Sequence, residues 1–151
     1  MRPFTLQPIG HLRTPYPDTA ACPRNPRQDR TAPLCEAVVE AAYQPGLAAL
    51  ESFSHLILLY WLHEAPPPEL VFTPPFDSTP RGILATRAPW RPNPIGLAVV
   101  AFEGLAGPGV LRVRHLDAVN GTPLLDIKPY LPTIDAEPAA SMGWLAPHAT
   151  R

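Results

Sequence analysis

Residues 95–130, "IGLAVVAFEGLAGPGVLRVRHLDAVNGTPLLDIKPY", contain three short apolar segments separated by turn signals. The first two, "IGLAVVAFEGL" and "GVLRVRHLDAV", are joined through "AGPG", and a glycine–proline pair favours a turn. The third, "NGTPLLDIKPY", opens with Asn-Gly, the strongest short hairpin signal. The stretch therefore predicts antiparallel strands joined by hairpins.

Similar apolar segments recur upstream, whereas helical periodicity is rare. Further strands are predicted over residues 4–14, 34–43, 55–63 and, more briefly, 81–87. Residues 45–53 are the one helical piece, because Leu47, Leu50 and Phe53 recur at three-residue spacing. Six or seven short strands with little helix predict an all-β barrel or sandwich. A Rossmann-type nucleotide site is excluded, because the sequence has no G-x-G-x-x-G turn between a strand and a helix.

The composition is that of one globular domain with unusually many prolines. The chain has 151 residues, of which 46% are hydrophobic and 17% charged. The 23 prolines among these 151 residues are a far larger share than the average proline usage of about 5%. Many of them lie in two long loops, 17–33 and 64–80, which they stiffen. We expect one β domain over 1–135 and a short, loosely packed tail over 136–151.

Charge and cysteine content narrow the class of partner and the compartment. The net charge of −1 argues against binding along a long stretch of phosphate backbone, although a local basic pocket remains possible. Cys22 and Cys35 lack metal-ligand spacing, so a disulfide scaffold or zinc site is not expected. The first residues lack the apolar region of a signal peptide, and no apolar stretch reaches membrane-spanning length. We expect a cytoplasmic protein.

The segment "TRAPWRPNPIGLA", residues 86–98, carries two arginines between closely spaced prolines. Ala88, Arg91 and Asn93 each precede a proline, which favours extended backbone. In that geometry Arg87 and Arg91 lie about 12 Å apart, so they mark two points along a site instead of gripping one carboxylate. The alternative is a connecting loop with two surface arginines.

Other polar groups lie beside the predicted strands. They are Pro26, Arg27 and Gln28 in the first long loop, Ser54 and His55 before an apolar strand, and Asp126, Lys128 and Tyr130, which period two places on one strand face. The alternatives are a solvated loop, a structural histidine and an exposed strand rim. Serine-type or metal-dependent hydrolysis has weak support, because the sequence lacks G-x-S-x-G and H-x-x-x-H patterns.

Taken in order, five blocks resemble the signature of the TsaA-like (YaeB/TrmO-type) family. They are "IGHLRTPY", "PRQ", "FSHLILLYWLH", "GILATRAPWRPNPIGLA" and "LDAVNGTPLLDIKPY". The last two blocks are long and specific, and the resemblance covers residues 7–135.

The resemblance implies a β-barrel that binds S-adenosyl-L-methionine, without a metal, as a homodimer with its site near the subunit interface. The implied activity is N6-methylation of threonylcarbamoyl-adenosine next to the tRNA anticodon, with only local contacts to the tRNA. The implied cofactor residues are Pro26, Arg27, Gln28, Ser54, His55, Arg87, Leu97, Asp117, Asn120, Gly121 and Thr122. The implied substrate residues are Arg91, Asn93 and Lys128, and Asp126 or Tyr130 would accept the proton.

Two alternatives of a different class remain open from the sequence. One is a methyltransferase of the same fold that acts on a small molecule. The other is a non-catalytic β-barrel that binds RNA.

Overall fold

A closed barrel of six antiparallel strands forms the body of the protein, seen in a computed structural model that describes residues 1–24 and 31–149. The strands in these ranges are β1 (Gly10–Arg13), β2 (Cys35–Val39), β3 (His55–Trp61), β4 (Val71–Phe72), β5 (Arg81–Gly82), β6 (Ile95–Gly107), β7 (Val110–Arg114) and β8 (Pro123–Pro129). The barrel order is β1-β2-β7-β6-β3-β8, and β8 pairs back onto β1. The short strands β4 and β5 form a separate hairpin. The predicted all-β barrel is confirmed.

The core fills the barrel interior through the two-residue alternation of its strands. In β3, Leu56, Leu58 and Tyr60 are buried, whereas Ile57 and Leu59 between them face outward and are half-buried. The other barrel strands add Leu12, Cys35, Ala37, Val39, Val100, Leu111, Val113 and Leu124. Burying one such leucine side chain contributes about 1.5–3 kcal/mol, so this interior is the main source of stability.

The hairpin between β6 and β7 forms where the sequence predicts it. β6 ends at Gly107, and β7 begins at Val110. Between them, Gly109 has a φ of +71°, and a Cβ there would meet the Val39 carbonyl oxygen and the Gln44 side chain. This turn requires glycine for both its left-handed backbone and its close packing.

The hairpin predicted at Asn120-Gly121 is wrong. β7 pairs with β2 and β6, whereas β8 pairs with β1 and β3, so the two strands lie on opposite sides of the barrel. Residues 115–122 therefore cross one barrel end. The Gly121 amide donates to the Leu12 carbonyl at 2.8 Å, and Asn120 Oδ1 accepts from the Thr14 amide at 3.1 Å. The turn thus packs on the end of β1.

The predicted helix over 45–53 is also wrong. Two short 3₁₀ turns, Ala41–Leu47 and Leu50–Ser52, take its place. Pro45 lies inside the first turn, and Ala49 between the two has a φ of +70°. A proline and a left-handed residue so close together prevent a continuous α-helix.

Two predicted strands are shorter in the structure. The segment 4–14 is a strand only over β1, and in the segment 81–87 the strand β5 gives way to a 3₁₀ turn at Ile83–Ala85. Proline at position 8 supplies no backbone donor, which limits the first strand.

The tail contains a short helix α1 (Pro132–Asp135) and a 3₁₀ turn at Gly143–His148. The expectation of loose packing is wrong at one point, because Trp144 Nε1 donates to the Ala85 carbonyl at 2.9 Å. Within the described ranges no helix has the length and apolar character needed to cross a bilayer.

Candidate functional site

A cavity of about 1140 Å³ lies at the barrel end that residues 115–122 cross. Its walls come from the end of β3, the loop at 62–66, the start of β6, the crossing itself and the stretch 86–93, here called the arginine segment. Among the described residues Arg24, Arg87 and Arg91 line it, against the carboxylates Glu64 and Asp117. This excess of cations favours a ligand with an anionic group.

The arginine segment is bent, so the straight rod expected from its prolines is wrong. The Arg91 amide donates to the Pro89 carbonyl at 2.8 Å, and the Ile95 amide donates to the Asn93 carbonyl at 2.7 Å. Such short-range bonds turn the chain, whereas the spacing of about 12 Å between Arg87 and Arg91 was expected for an extended chain and stays a prediction. Both arginines and Asn93 line the cavity, as does Leu97 just beyond the segment.

The two arginines are held differently. Arg91 Nη1 donates to the carbonyls of Thr86 at 2.9 Å and Ala88 at 3.3 Å, so this side chain braces its own segment. No hydrogen bond or ion pair joins the exposed Arg87 to another residue within 1–24 and 31–149. Arg24, which also lines the cavity, has no such partner in these ranges either, so Arg87 and Arg24 are both free to pair with a ligand anion.

The cavity floor holds a buried phenol bonded to a carboxylate. The Tyr60 hydroxyl donates to Asp117 Oδ1 at 2.7 Å. Burial, reinforced by Asp117, raises the pKa of Tyr60 far above its usual range, so the phenol stays protonated and acts as a donor. Gly96 lies opposite Tyr60 in the β3–β6 pairing, and a Cβ at this position would overlap the tyrosine ring. The glycine thus makes room for the ring that orients Asp117.

Of residues 120–122, one lines the cavity and two stabilise the fold. Thr122 is buried, lines the cavity and donates through Oγ1 to the Val119 carbonyl at 2.6 Å. Asn120 and Gly121, implied as cofactor residues, are not among the residues lining the cavity. Gly121 instead bonds to Leu12 in β1, and the Asn120 amide donates to the Tyr16 carbonyl in the loop after β1 at 2.8 Å.

The structure adds pocket residues that the sequence reasoning missed. His115 lines the cavity with a φ of +69°, a left-handed conformation that is uncommon outside glycine. His63 and Glu64, from the loop after β3, also line it. The sequence offered one signal for these residues, which is their position. His63 lies two residues after β3, and His115 directly follows β7.

Cys22 also lies in the cavity wall. Burial raises the pKa of its thiol, and the neighbouring Asp117 adds to that effect. A thiol with a raised pKa is protonated at neutral pH and is a poor nucleophile, so the cavity does not favour cysteine chemistry.

A second polar cluster, called the outer cluster, lies on the outside of β3 and β8. It comprises Ser54, His55, Asp126, Lys128 and Tyr130, none of which lines the cavity. Lys128 Nζ contacts Asp126 Oδ2 at 2.8 Å, so these two share a face as predicted, and this hydrogen bond raises the pKa of Lys128. Ser54 Oγ lies 2.8 Å from His55 Nδ1, and the rings of His55 and Tyr130 are 6.4 Å apart.

Apolar side chains separate the outer cluster from the cavity. Three cross-strand pairs, Ile57–Val99, Leu59–Leu97 and Trp61–Ile95, form an outward-facing ladder on β3 and β6. Leu97 and Ile95 are 46% and 42% exposed. Leu97 belongs both to this ladder and to the cavity wall, so the two surfaces are continuous.

Three implied cofactor residues, Pro26, Arg27 and Gln28, lie outside the described residues, and their roles stay predictions. Within residues 1–24 and 31–149, no group of three histidine, cysteine or acidic side chains is arranged to hold a metal ion.

Comparison with known proteins gives the family. The profile of the tRNA-methyltransferase O N-terminal domain matches residues 11–136. The tRNA (adenine(37)-N6)-methyltransferase of Escherichia coli K12 is 36% identical, over 95% of this chain and 65% of that protein. An S-adenosyl-L-methionine-binding protein of Archaeoglobus fulgidus is 40% identical, over 86% of this chain and 91% of that protein.

A solved structure agrees with the sequence relatives. TrmO from Pseudomonas aeruginosa superposes with a TM-score of 0.78 at 34% identity, covering 95% of this chain and 63% of that one. The chain thus spans less than two thirds of the length of the P. aeruginosa and E. coli proteins, and 37% of a probable S-adenosyl-L-methionine-binding protein of A. fulgidus that is 43% identical. On the strength of the profile match and the shared barrel, the chain belongs to the family of the tRNA-methyltransferase O N-terminal domain.

Proposed function

We propose that this chain is an S-adenosyl-L-methionine-dependent methyltransferase that methylates N6 of an adenosine next to the tRNA anticodon. The observation that carries the proposal is the cavity at the barrel end, which Arg87 and Asp117 both line. The names of the E. coli and A. fulgidus relatives supply the reaction and the cofactor. A tRNA substrate agrees with action in the cytoplasm.

The donor groups of the cavity fit this cofactor. A volume of about 1140 Å³ exceeds the 300–1,000 Å³ typical of small-molecule sites, which leaves room for a cofactor and a base together. Arg87 can pair with a carboxylate, and Asp117 can accept from hydroxyl or ammonium groups. Leu97 and Leu62 offer apolar contact. When bound, the cofactor supplies a methyl group activated by a positively charged sulfur.

The task of this chain is then to orient both partners. Asp117 is fixed by the Tyr60 hydroxyl, so its carboxylate is placed before a ligand arrives. Such positioning can supply several kcal/mol of barrier reduction without covalent chemistry, roughly 7–11 kcal/mol in the best cases.

We assign Arg91 and Asn93 to the part of the cavity that binds the substrate. The cation and the amide there support threonylcarbamoyl-adenosine as that substrate. Arg91 commits Nη1 to its own backbone, and its other guanidinium nitrogens remain to pair with the threonyl carboxylate. Asn93 is exposed at the cavity wall and can donate to or accept from the base.

We also propose a homodimer that joins two copies through the outward-facing ladder of β3 and β6. Six apolar side chains in register, two of them exposed and four half-buried, form an outward-facing patch of the kind that marks interaction sites. Because Leu97 borders both surfaces, a second copy seated there brings its outer cluster near the cavity mouth. Ser54, His55 and Lys128 would then contact ligands across the interface, and Asp126 or Tyr130 would take the proton from N6.

The test uses tRNA from a strain that lacks the gene for this chain. Nucleosides from that tRNA, analysed by mass spectrometry, should lack the N6-methyl group, and the wild-type gene should restore it. Arg87→Ala should fail to restore it, whereas the control Ile134→Ala, on exposed α1, should succeed. Unchanged methylation in the deletion strain would overturn the tRNA substrate and favour a small-molecule acceptor.

A further inference from the structure

Trp144, in the tail, contacts the residue that leads into the arginine segment. Its Nε1 donates to the carbonyl of Ala85 at 2.9 Å. Ala85 ends the 3₁₀ turn Ile83–Ala85, and Arg87 follows two residues later. The tail therefore reaches the cavity wall from outside the barrel.

Two other side chains contact the indole, and a third fixes one of these two in place. The Phe76 ring lies nearly parallel to it, with an interplanar angle of 8° and centroids 6.1 Å apart. The Arg81 guanidinium carbon lies 4.6 Å from the indole centroid, a cation–π contact. Asp77 Oδ2 accepts from Arg81 Nε at 2.8 Å and from Nη2 at 2.6 Å, which fixes the guanidinium. Trp144 is thus held by a preorganised set of contacts.

A chain of hydrogen bonds continues from Ala85 to the cavity. The Thr86 amide and Oγ1 both donate to the Ile83 carbonyl, at 3.1 and 2.9 Å. Arg91 Nη1 then donates to the Thr86 carbonyl at 2.9 Å. Ile83 is buried, which secures the inner side of the turn. Within residues 1–24 and 31–149, the side-chain hydrogen bond to Ala85 comes from Trp144.

We propose that Trp144 is a positioning residue of the ligand site. By holding Ala85 it sets the place of Arg87 and Arg91 before a ligand binds. An arginine on an unfixed connector would lose conformational freedom on binding and so bind more weakly. The identity of the ligand rests on the function proposed above, whereas the fixing of the segment does not.

The first test needs no ligand. Hydrogen exchange of the Thr86 amide is compared in the wild type, Trp144→Phe, Trp144→Ala and the control Met142→Ala. Met142 lies in the same tail and is 54% exposed. Trp144→Phe keeps an aromatic ring but loses the donor, so it serves even where Trp144→Ala fails to fold. Exchange should quicken by about fivefold in both Trp144 variants, the equivalent of one lost hydrogen bond. Equal exchange in Trp144→Phe and Met142→Ala would overturn the proposal.

The second test is calorimetry with S-adenosyl-L-methionine. Trp144→Phe should weaken binding about fivefold. The loss should nearly vanish in an Arg87→Ala background, because Trp144 acts on the ligand through the position of that arginine. Equal losses in both backgrounds would overturn the positioning role. If the wild type shows no heat of binding, the proposal that S-adenosyl-L-methionine is the cofactor is wrong. The exchange measurement alone then decides the role of Trp144.

Discussion

At the scale of single residues, the cavity floor depends on a phenol and a glycine. Tyr60 is 2% exposed, and its hydroxyl emerges from the core to hold Asp117 at 2.7 Å. Gly96 leaves the space that the ring occupies. The apolar run of β3 predicts a buried strand, but a hydrogen bond to a residue 57 positions away has no signature in the local pattern.

Gly96→Ala should destabilise the fold. The added methyl overlaps the Tyr60 ring in a packed interior, and such overpacking costs about 1–3 kcal/mol. Urea unfolding measures the change in free energy. The matched control is Gly82→Ala, where a Cβ meets no atom within 4 Å and φ is −69°. Equal effects at the two glycines would contradict the packing account.

Cys35 should make stability fall at alkaline pH. Burial raises the pKa of this thiol to about 11 from an ordinary value of 9.0. Between these values the unfolded chain has released the proton while the folded chain keeps it, so the free energy of unfolding decreases as pH rises. The stabilisation is complete below pH 9 and is lost by pH 11, about 2 kcal/mol in all. Chemical unfolding across this window should show a shallower slope in Cys35→Ala, and identical slopes would refute the assignment.

At the scale of elements, the barrel strands follow from their own sequence, but the connection between β7 and β8 does not. Apolar runs bounded by turn signals predict β3, β6 and β7, and the "AGPG" turn joins β6 to β7 as expected. The signal at Asn120-Gly121 reports a tight turn and not which strands pair. Barrel closure decides the pairing, because β8 must reach β1 and β3. This crossing places Asp117 and Thr122 in the cavity.

The outward-facing ladder leads to a prediction at this scale. Leu59→Asp places a charge in the centre of the proposed dimer contact, opposite Leu97. The dimer should weaken by at least tenfold, because a buried unpaired charge is costly. Sedimentation equilibrium measures the dissociation constant. Leu70→Asp, at a residue that is 66% exposed on a loop, serves as the control. A monomeric wild type, or a dimer that tolerates Leu59→Asp, would remove this interface.

At the scale of the whole molecule, the candidate site divides into a cavity and an outer cluster, which the sequence could not separate. Arg87, Arg91, Asn93, Leu97, Asp117 and Thr122 gather in the cavity, whereas Ser54, His55, Asp126, Lys128 and Tyr130 lie on the outer face. Period two predicts that Asp126 and Lys128 share a face, but a single strand does not reveal which face looks into the barrel. In the proposed dimer a second copy would join the two sets, and the strand pattern of one chain does not encode where that copy sits.

The most direct test of the account is a calorimetric titration of S-adenosyl-L-methionine into the wild-type chain and Arg87→Ala. We expect specific binding with one site per chain, and a loss of about tenfold or more in Arg87→Ala, as for the removal of a charge-assisted hydrogen bond. If the wild type shows no heat of binding, or if the two proteins bind with equal affinity, the claim that this cavity binds the cofactor is contradicted.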